Sequence, residues 1–417
     1  MRVLVVGSGG REHALALALS RDPAVTELHV APGNPGTRLI ATNHPVDPMD
    51  AAAVALLARR LPVDLVVVGP EAPLVAGVAD AVRGAGIACF GPTAAAARIE
   101  GSKAFAKEVM SAAGVPTGSS RVCGNEAEVA AALDAFGAPY VVKDDGLASG
   151  KGVVVTSDRQ VAQQHAARCQ RVVVEEYLDG PEVSLFAITD GTTVLPMQPA
   201  QDFKRMGDGD TGPNTGGMGA YSPLPWAPAD LVDEVVRTVL QPTVDEMKRR
   251  GTPFSGLLYA GLALTSRGVK VIEFNARFGD PETQVLLARL RTPVGQLLYA
   301  AATGELAAHP ALEWADGAAV AVVLGAEGYP QQPVTAGVIT GADEPHFDGT
   351  HVIHAGTAMD DEGRLVSAGG RVLAVVGTGA DLAVARQAAY RAIADIRLEG
   401  SFYRSDIAAL AAEQVGS

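Results

Sequence analysis

The residues best suited to chemistry follow a short apolar run that begins at Val271. Five polar or ionisable side chains end that run: Glu273, Asn275, Arg277, Asp280 and Glu282. If the run is a β-strand, Glu273 and Asn275 project from one face, because side chains alternate along a strand. A carboxylate beside an amide oxygen suits a hard cation such as Mg²⁺, which shares its shell with water and substrate phosphates. Arg277 could neutralise an oxyanion beside that cation. The alternative is a strand end followed by a solvated acidic turn. Five such residues in register make this alternative the less favoured one.

A glycine-rich loop, K-D-D-G-L-A-S-G-K-G, runs from Lys143 to Gly152. Its lysine stands at the end of a predicted strand, and the loop after it contains Gly150 and a second lysine, Lys151. Glycines allow backbone N–H groups to approach phosphate oxygens with no Cβ in the way. No G-K-[S/T] opens a helix here, so the segment is not a Walker A loop. The pattern predicts a phosphate-binding loop, with an ordinary turn between strands as the alternative.

A second candidate nucleotide segment, E-E-Y-L-D-G-P-E, spans residues 175–182 after a valine-rich run. Such a segment could present backbone groups to an adenine edge and offer the Glu182 carboxylate to ribose hydroxyls. An acidic strand end facing water is the simpler interpretation of this segment taken alone.

Composition limits the class of protein. The chain has 417 residues, 48% of them hydrophobic and 19% charged, which indicates a globular protein of about two to four domains. The formal net charge of −14 argues against nucleic acid or an anionic membrane as the main partner. Phosphorylated substrates would therefore need a local cluster of positive charge. The three cysteines form no C-x-x-C pair, so they predict neither a disulfide framework nor a zinc site. With no apolar run long enough to span a bilayer, we expect a cytoplasmic protein.

The first hundred residues alternate β-rich runs with alanine-rich helical stretches, which predicts a doubly wound parallel sheet. The first strand ends in G-S-G-G, but the third glycine of a dinucleotide fingerprint is replaced by Glu12, which disfavours NAD. Loops at the carboxyl ends of such strands face a ligand crevice. We therefore expect the following residues to face a ligand: Gly10, Arg11, Glu12, Asn34 and Glu71.

The rest of the chain predicts further units. We expect an N-terminal α/β domain at 1–100, a central α+β domain at 101–310 with a mobile lobe at about 117–188, and a small β-rich C-terminal domain at 318–417. Residues 202–225 have the composition of a long loop, and an alanine-rich helix at 381–396 is predicted near the end of the chain.

Taken in order, the lysine–glycine loop, the 175–182 segment and the Glu273 strand resemble the ATP-grasp superfamily. Within it, further motifs resemble the phosphoribosylamine–glycine ligase family: G-S-G-G-R-E-H-A at 7–14, P-G-N-P-G-T at 32–37, G-P-E-A-P-L at 69–74, E-G-S-K-A-F at 100–105, D-T-G-P-N-T-G-G-M-G-A-Y-S-P at 210–223 and H-A-G-T at 354–357. The resemblance implies ligation of glycine to 5-phosphoribosylamine, driven by ATP through a glycyl phosphate. This is the second step of purine biosynthesis.

The resemblance also implies residue roles. ATP, with Mg²⁺ or Mn²⁺, would be bound by Lys103, Lys143, Gly150, Lys151, Glu175, Glu176, Tyr177 and Glu182, with Glu273 and Asn275 as metal ligands. Arg277 and Asp280 would serve catalysis. The amine substrate would meet Gly10, Arg11, Glu12, Asn34 and Glu71. Glycine and the sugar phosphate would meet Asp202, Lys204, Arg205, Asn214 and Gly217. The expected partners are these small molecules, with no nucleic acid or membrane, on a monomer or weak dimer.

Three positions depart from the family pattern. Asp144 replaces a small residue, Phe203 replaces the histidine of a Q-D-H-K-R motif, and the 161–171 connection is short. A catalytically weakened nucleotide-binding paralogue is therefore the alternative function. His13, next to the first glycine loop, is predicted to be a helix-start or helix-surface residue and not a catalytic one.

Overall fold

A computed structural model describes residues 1–147, 152–342 and 348–415. The first part is a five-stranded parallel sheet of apolar, buried strands: β1 (Arg2–Gly7), β2 (Glu27–Pro32), β3 (Thr42–Asn43), β4 (Leu65–Val68) and β5 (Ala88–Phe90). Their spatial order, β3-β2-β1-β4-β5, reverses between β1 and β4, where a doubly wound sheet has its ligand crevice. The connecting helices are α1 (Gly10–Ser20), α2 (Ala51–Arg60), α3 (Glu71–Val75) and α4 (Val78–Gly84). The predicted doubly wound sheet is confirmed.

Two helices lead out of this sheet, α5 (Ala94–Gly101) and α6 (Lys103–Ala113). Ser102 separates them, and its hydroxyl accepts a hydrogen bond from the Phe105 backbone N–H at 3.2 Å. This N-cap satisfies a free donor at the start of α6 and places Lys103 at the first helical position. The polar cap residue therefore fixes the point from which the lysine side chain leaves the helix.

The next unit is a four-stranded antiparallel sheet covered by two helices. Its elements are β6 (Ser120–Cys123), α7 (Glu126–Phe136), β7 (Tyr140–Asp144), β8 (Val153–Thr156), α8 (Arg159–Ala166) and β9 (Val172–Glu175), with strand order β6-β9-β7-β8. Its apolar side chains, such as Val129, Val142 and Val174, form a cluster separate from the main core. A lobe with its own core can move as a unit against the rest.

A second antiparallel sheet faces this lobe. It contains β10 (Glu182–Asp190), β11 (Val194–Pro196) and two later strands, described below, that form a hairpin. Residues 201–222, between β11 and the hairpin, are called the glycine-rich segment below. They form four short strands: β12 (Gln201–Asp202), β13 (Arg205–Gly207), β14 (Thr211–Asn214) and β15 (Gly219–Ser222). The prediction of a long loop over 202–225 is therefore wrong. β13 pairs with β14, and β15 joins a sheet of the C-terminal part, so the pairing depends on distant residues.

Helices α9 (Leu231–Val235) and α10 (Gln241–Arg249) lead to the hairpin strands β16 (Ser255–Thr265) and β17 (Gly268–Asn275). The sheet order is β11-β10-β16-β17, which puts β17 at its edge. Helices α11 (Glu282–Arg289) and α12 (Val294–Thr303) follow directly. β17 is the predicted strand of Glu273 and Asn275, and the change of direction after Asn275 brings Arg277 to Glu282 back towards the first sheet.

The C-terminal part contains β18 (Ala318–Gly325), β19 (Thr350–His354), β20 (Thr357–Met359), β21 (Leu365–Ser367), β22 (Arg371–Gly379), α13 (Leu382–Ile393) and α14 (Ala409–Val415). Its main sheet has the order β12-β15-β18-β22-β19, so it includes strands from the predicted central domain. One buried cluster contains Leu4, Leu258 and Val375, joining all three parts in one core. The predicted domain boundaries stay a prediction. Across the described ranges, no helix has the length and apolarity to cross a membrane.

Candidate active site

Glu273 and Asn275 lie on the last residues of β17, opposite Gly261 and Tyr259 of β16. Asn275 is buried, and its Oδ1 lies 3.4 Å from an Nη of Arg277. The Glu273 carboxylate has no hydrogen bond or ion pair to any described residue. A half-buried carboxylate without a partner is costly unless something else compensates its charge. The pair therefore offers one carboxylate and one amide oxygen to a ligand.

Four cations compensate the Glu273 charge from a distance. Burial by itself raises the pKa of Glu273, but the pKa falls below its ordinary value because of Lys143, Lys204, Lys103 and Arg277, in decreasing order of effect. These side chains come from four separate segments of the chain. The site therefore concentrates positive charge in a chain of net charge −14, as phosphorylated substrates require.

This arrangement fits a divalent cation that is shared with a substrate. In the described part of the chain, no group of three or more His, Cys, Asp or Glu side chains could cage a metal ion. Mg²⁺ uses one or two protein oxygens together with water and phosphate oxygens. Glu273 and Asn275 match that requirement, and the surrounding lysines suit the phosphates.

A buried ion-pair triad lies behind β7 and β9. The Glu175 carboxylate is 3.2 Å from Lys143 Nζ and 3.0 Å from Lys107 Nζ, and all three side chains are buried. Lys143 also donates to the Ile272 carbonyl at 3.0 Å, which connects the antiparallel lobe to β17. The Glu175 carboxylate is thus committed to the two lysines, and its backbone remains the part that could meet a base.

Lys107 was missed by the sequence interpretation, although it lies four residues after Lys103 on one face of α6. Its ammonium also donates to Thr117 Oγ1 at 2.8 Å. Burial lowers the pKa of Lys107, and Glu175 opposes that shift. Lys107 shares Glu175 with Lys143, so it controls how strongly Lys143 is held by that carboxylate.

Lys103 holds the start of the glycine-rich loop. Its Nζ donates to the carbonyls of Asp144 at 2.8 Å and Gly146 at 2.9 Å. The adjacent Asp145 accepts from Ser102 Oγ and the Ala104 N–H, both at 3.0 Å. Gly150 and Lys151 lie outside the described residues.

Asp144 lies beside Cys169. Burial raises the pKa of the Cys169 thiol, and Asp144 raises it further. Alternation along β7 thus directs Asp144 to the face opposite Lys143, so this departure from the family pattern leaves the Lys143 side of the strand free of an added carboxylate.

The remaining nucleotide candidates lie along the rim between the two antiparallel sheets. Glu176 pairs with Lys270 at 3.2 Å and Arg267 at 3.3 Å, which ties the lobe to the β16–β17 turn. Tyr177 is 49% exposed. Glu182 begins β10 and forms an ion pair with Lys204. Glu176 acts electrostatically on Lys107, and Glu182 contacts Lys204, so these two carboxylates adjoin the lysines. The contacts of all three residues with a nucleotide stay a prediction.

Lys204 brings the glycine-rich segment to the same site. Burial by itself lowers its pKa, but Asp202, Glu182 and Glu273 raise it well above the ordinary value, so the ammonium is charged. Burial raises the pKa of Asp202 to about 7, which Lys204 opposes and Glu282 reinforces. Glu282 itself is buried and accepts a hydrogen bond from Tyr259 Oη at 2.6 Å.

Arg277 connects β17 to the first sheet. Its Nε lies 3.0 Å from Glu71 Oε2, and an Nη lies 3.2 Å from Glu100 Oε1. Glu100 also accepts the Ala276 backbone N–H at 2.7 Å, so one carboxylate fixes both the strand end and the arginine. Burial by itself lowers the pKa of Arg277, but nearby groups, with the Glu100 and Glu71 carboxylates foremost, together have the larger effect and raise the pKa above its ordinary value. Sequence reasoning did not select Glu100, although it opens the E-G-S-K motif.

The loop after β1 meets the same network. Arg11 Nε lies 2.8 Å from Glu12 Oε1, and its Nη2 lies 3.5 Å from Glu71 Oε2. Burial raises the pKa of Glu12, which Arg11 opposes. Asp280 Oδ2 accepts the Arg11 backbone N–H at 3.2 Å. At Gly10, a Cβ would come within 3.2 Å of Asp280 Oδ1, so glycine permits this close approach.

Asn34 and His13 lie in a buried polar cluster with His354. Asn34 Nδ2 donates to the carbonyls of Ser8 at 2.8 Å and His354 at 3.0 Å, and its Oδ1 accepts from Thr37 N–H at 3.0 Å. The Asn34 side chain is thus engaged within the protein. His13 Nδ1 accepts the His354 N–H at 2.8 Å. Burial, reinforced by His354, lowers the pKa of His13 to about 3. His13 does lie in the first turn of α1, but the helix-surface prediction is wrong because the side chain is buried.

The remaining predicted residues belong to the glycine-rich segment. Arg205 and Asn214 face each other across the β13–β14 pair, and Arg205 Nη1 donates to the Gly212 carbonyl at 2.8 Å. Gly217 has φ +113°, and a Cβ there would lie 2.6 Å from Pro281 Cδ. The segment thus packs against the turn that follows β17, and its Lys204 interacts electrostatically with Glu273.

Two antiparallel sheets that face each other, with buried lysines opposite a carboxylate–amide strand, define an ATP-grasp protein. Three domain profiles of phosphoribosylglycinamide synthetase match most of the chain in order: the N domain at residues 1–100, the ATP-grasp (A) domain at 101–283 and the C domain at 319–410. The phosphoribosylamine–glycine ligase of Streptomyces coelicolor is 68% identical over 418 residues, covering 99% of this chain and 100% of that protein. The Mycobacterium leprae enzyme of that name is 59% identical over 422 residues, covering 99% of each chain.

Solved structures agree. A crystal structure of phosphoribosylamine–glycine ligase from Thermotoga maritima has a TM-score of 0.85 and 33% identity, covering 98% of this chain and 100% of that one. The biotin carboxylase domain of 2-oxoglutarate carboxylase from Hydrogenobacter thermophilus has a TM-score of 0.74 at 17% identity, covering 96% and 91% of the two chains, which shows a shared fold. The chain belongs to the phosphoribosylamine–glycine ligase family.

Proposed function

We propose that this protein ligates glycine to 5-phosphoribosylamine, converting ATP to ADP and phosphate and giving glycinamide ribonucleotide, the second step of purine biosynthesis. The observation that carries the proposal is the Glu273 carboxylate, which lacks a partner among the described residues and is surrounded by four cations in a chain of this family. Nothing in the comparisons favours a weakened paralogue. Lys143, Glu273, Asn275 and Arg277 are all present, and Lys143 and Arg277 contact the strand that carries Glu273 and Asn275 or its end.

The nucleotide would lie between the antiparallel lobe and the β10–β17 sheet. Lys143 and Lys103 would neutralise its phosphates, the backbone at 175–177 would meet adenine, and Glu182 would accept ribose hydroxyls. The Hydrogenobacter relative is described in complex with MgADP. Glu273 and Asn275 would hold a divalent cation, which would neutralise the β- and γ-phosphate oxygens when bound. We take Mg²⁺ as that ion, with Mn²⁺ as a substitute.

In the first step, a glycine carboxylate oxygen attacks the γ-phosphorus, the bond to the β-γ bridging oxygen breaks, and ADP leaves. Lys204 would neutralise the incoming carboxylate, a role supported by its electrostatic interaction with Glu182 and Glu273. The chain contributes position and charge, which is most of what phosphoryl transfer requires.

In the second step, the amine nitrogen of phosphoribosylamine attacks the glycyl carbonyl carbon, phosphate leaves as the amide bond forms, and the proton lost by the nitrogen goes to the departing phosphate. Arg277, oriented by Glu71 and Glu100, supplies a fixed positive charge for the oxyanion that develops. The loop with Arg11 and Glu12 would present the amine, and Asp280 holds that loop through the Arg11 N–H. The amine lone pair needs no protein base to act as a nucleophile.

The test is ADP release by the purified protein with MgATP, glycine and freshly prepared phosphoribosylamine. We expect turnover only with all three, together with a product whose mass equals glycinamide ribonucleotide. ADP release that does not depend on either glycine or the amine would refute the proposal. Gel filtration with light scattering would separately test the expected monomer or weak dimer.

A further inference from the structure

One buried arginine of the C-terminal part, Arg404, contacts the glycine-rich segment. Arg404 is 2% exposed. Its guanidinium forms a bidentate pair with Asp406, at 2.7 Å for both Nε to Oδ1 and Nη2 to Oδ2. Its Nη1 donates to Asp210 Oδ1 at 2.8 Å and to the Arg205 carbonyl at 3.1 Å. Its Cζ lies 4.8 Å from the centroid of the Phe203 ring. Four different groups thus satisfy one arginine, and three of them belong to the segment 203–210.

Neighbouring residues strengthen the same contact. The Ser405 backbone N–H donates to Asp208 Oδ1 at 2.8 Å, and its hydroxyl donates to Asp208 Oδ2. The Gly209 N–H donates to Asp406 Oδ2 at 2.8 Å. We call residues 404–406 together with 203–210 the arginine latch. The latch joins segments about two hundred positions apart in the chain, so it couples the C-terminal part to the glycine-rich segment.

The segment that the latch holds contains Lys204. This lysine lies between Phe203 and Arg205, and both of these neighbours contact Arg404 directly. Its carbonyl accepts hydrogen bonds from the Thr215 N–H at 2.7 Å and the Thr215 hydroxyl at 2.9 Å, which closes the hairpin. Any freedom gained at Phe203 or Arg205 would therefore pass to the Lys204 backbone.

Stability alone is a weak reason for such a residue. Burying an arginine with carboxylates often contributes little net stability compared with apolar residues of similar size, whereas it fixes one arrangement of the groups around it. The aromatic ring of Phe203 provides the face on which a planar guanidinium stacks. The arrangement that the latch fixes is the direction of Lys204 towards Glu182 and Glu273.

We infer that Arg404 is a positioning residue for the ligase reaction, which acts by holding the segment 203–210 so that Lys204 faces the glycine carboxylate and the γ-phosphate. The inference rests on the proposed function. It gives the C-terminal part a role in glycine affinity beyond support of the fold. ADP lacks the γ-phosphate and should bind independently of the latch. The described contacts of the triad Lys107, Lys143 and Glu175 do not reach the latch residues.

The experiment compares Arg404→Met and the milder Asp210→Asn with wild type. Asp210 has a side chain that is 69% exposed, so its variant should fold normally. We expect the glycine KM to rise about tenfold in Arg404→Met and about threefold in Asp210→Asn, because a smaller fraction of molecules holds Lys204 in place. The Kd for MgADP should stay within about twofold. Arg364→Met removes an exposed ion pair with Asp360 in the same part of the chain and should change neither value.

Hydrogen–deuterium exchange over residues 203–214 gives a readout that needs no activity. Faster exchange there in Asp210→Asn, with unchanged exchange in Arg364→Met, supports the latch. An unchanged glycine KM in both latch variants, or an equal rise in glycine KM and MgADP Kd, overturns the inference. If wild type shows no glycine-dependent ADP release, the proposed function fails, and unchanged exchange in both latch variants would then refute the latch as well.

Discussion

The substitution Glu100→Gln is expected to lower activity while changing the stability of the fold little. Its carboxylate accepts the Ala276 N–H at 2.7 Å and pairs with Arg277 at 3.2 Å. Glu100→Gln keeps an oxygen for the backbone N–H and removes the negative charge that orients the arginine. Arg277 retains Glu71 at 3.0 Å, so it does not become an isolated buried charge.

The expected magnitude follows from the contact that is lost. A hydrogen bond to a charged group contributes about 1.5–3 kcal/mol, and each 1.4 kcal/mol is about tenfold in rate. We therefore expect kcat/KM for phosphoribosylamine to fall by about ten- to a hundredfold. Stability should change little, because burial raises the pKa of Glu100 and its charge is costly to the folded state. The neutral glutamine removes that cost.

The assay is steady-state ADP release at varied phosphoribosylamine, together with thermal unfolding of each variant. Glu108→Gln is the matched control, because Glu108 is 68% exposed and its nearest cation, Arg250, is 3.9 Å away. A kcat/KM within twofold of wild type for Glu100→Gln, with an unchanged melting temperature, would refute the role given to Arg277 and its carboxylates.

Three further predictions concern the metal strand, the lysine triad and the buried histidine. Glu273→Gln should lower kcat by more than about a hundredfold with a normal melting temperature, and a fully active variant would contradict the metal assignment. Lys107→Met should raise the KM for ATP several-fold because Glu175 then holds Lys143 alone, as an ATP titration would show; a lowered KM would contradict this. The pKa of His13 is lowered to about 3, so the unfolded chain binds the extra proton between about pH 6.5 and 3 and stability must fall with decreasing pH in that window. In His13→Gln, the free energy of unfolding should vary less steeply with pH in that window, by up to about 1.4 kcal/mol per pH unit. Urea unfolding at several pH values measures this slope, and an unchanged slope would contradict the prediction.

Much of the fold could be predicted from local patterns. The helix Glu126–Phe136 begins after an asparagine N-cap, and the strand Val153–Thr156 consists of β-branched residues, and both are local signals of these elements. The shared face of Glu273 and Asn275 followed from alternation along a strand. These features depend on residues within a few positions of each other.

The misses depend on distant partners. The segment at 202–225 has the composition of a loop, but Gly219 pairs with Val322 of β18, and that partner cannot be inferred from neighbouring residues. Glu100 pairs with Arg277 and Arg404 pairs with Asp210, and these partners lie far away in the sequence, so neighbouring residues do not indicate the contacts. His13 is buried by contact with His354, which is far away in the sequence.

The most direct measurement is a crystal structure of the protein with Mn²⁺ and a non-hydrolysable ATP analogue, using the anomalous signal of the metal. The account predicts an anomalous peak bound by the Glu273 carboxylate, the Asn275 Oδ1 and β- and γ-phosphate oxygens, with Lys143 Nζ within hydrogen-bond distance of the phosphates. A metal and triphosphate bound elsewhere, with Glu273 and Asn275 contacting neither, would contradict it.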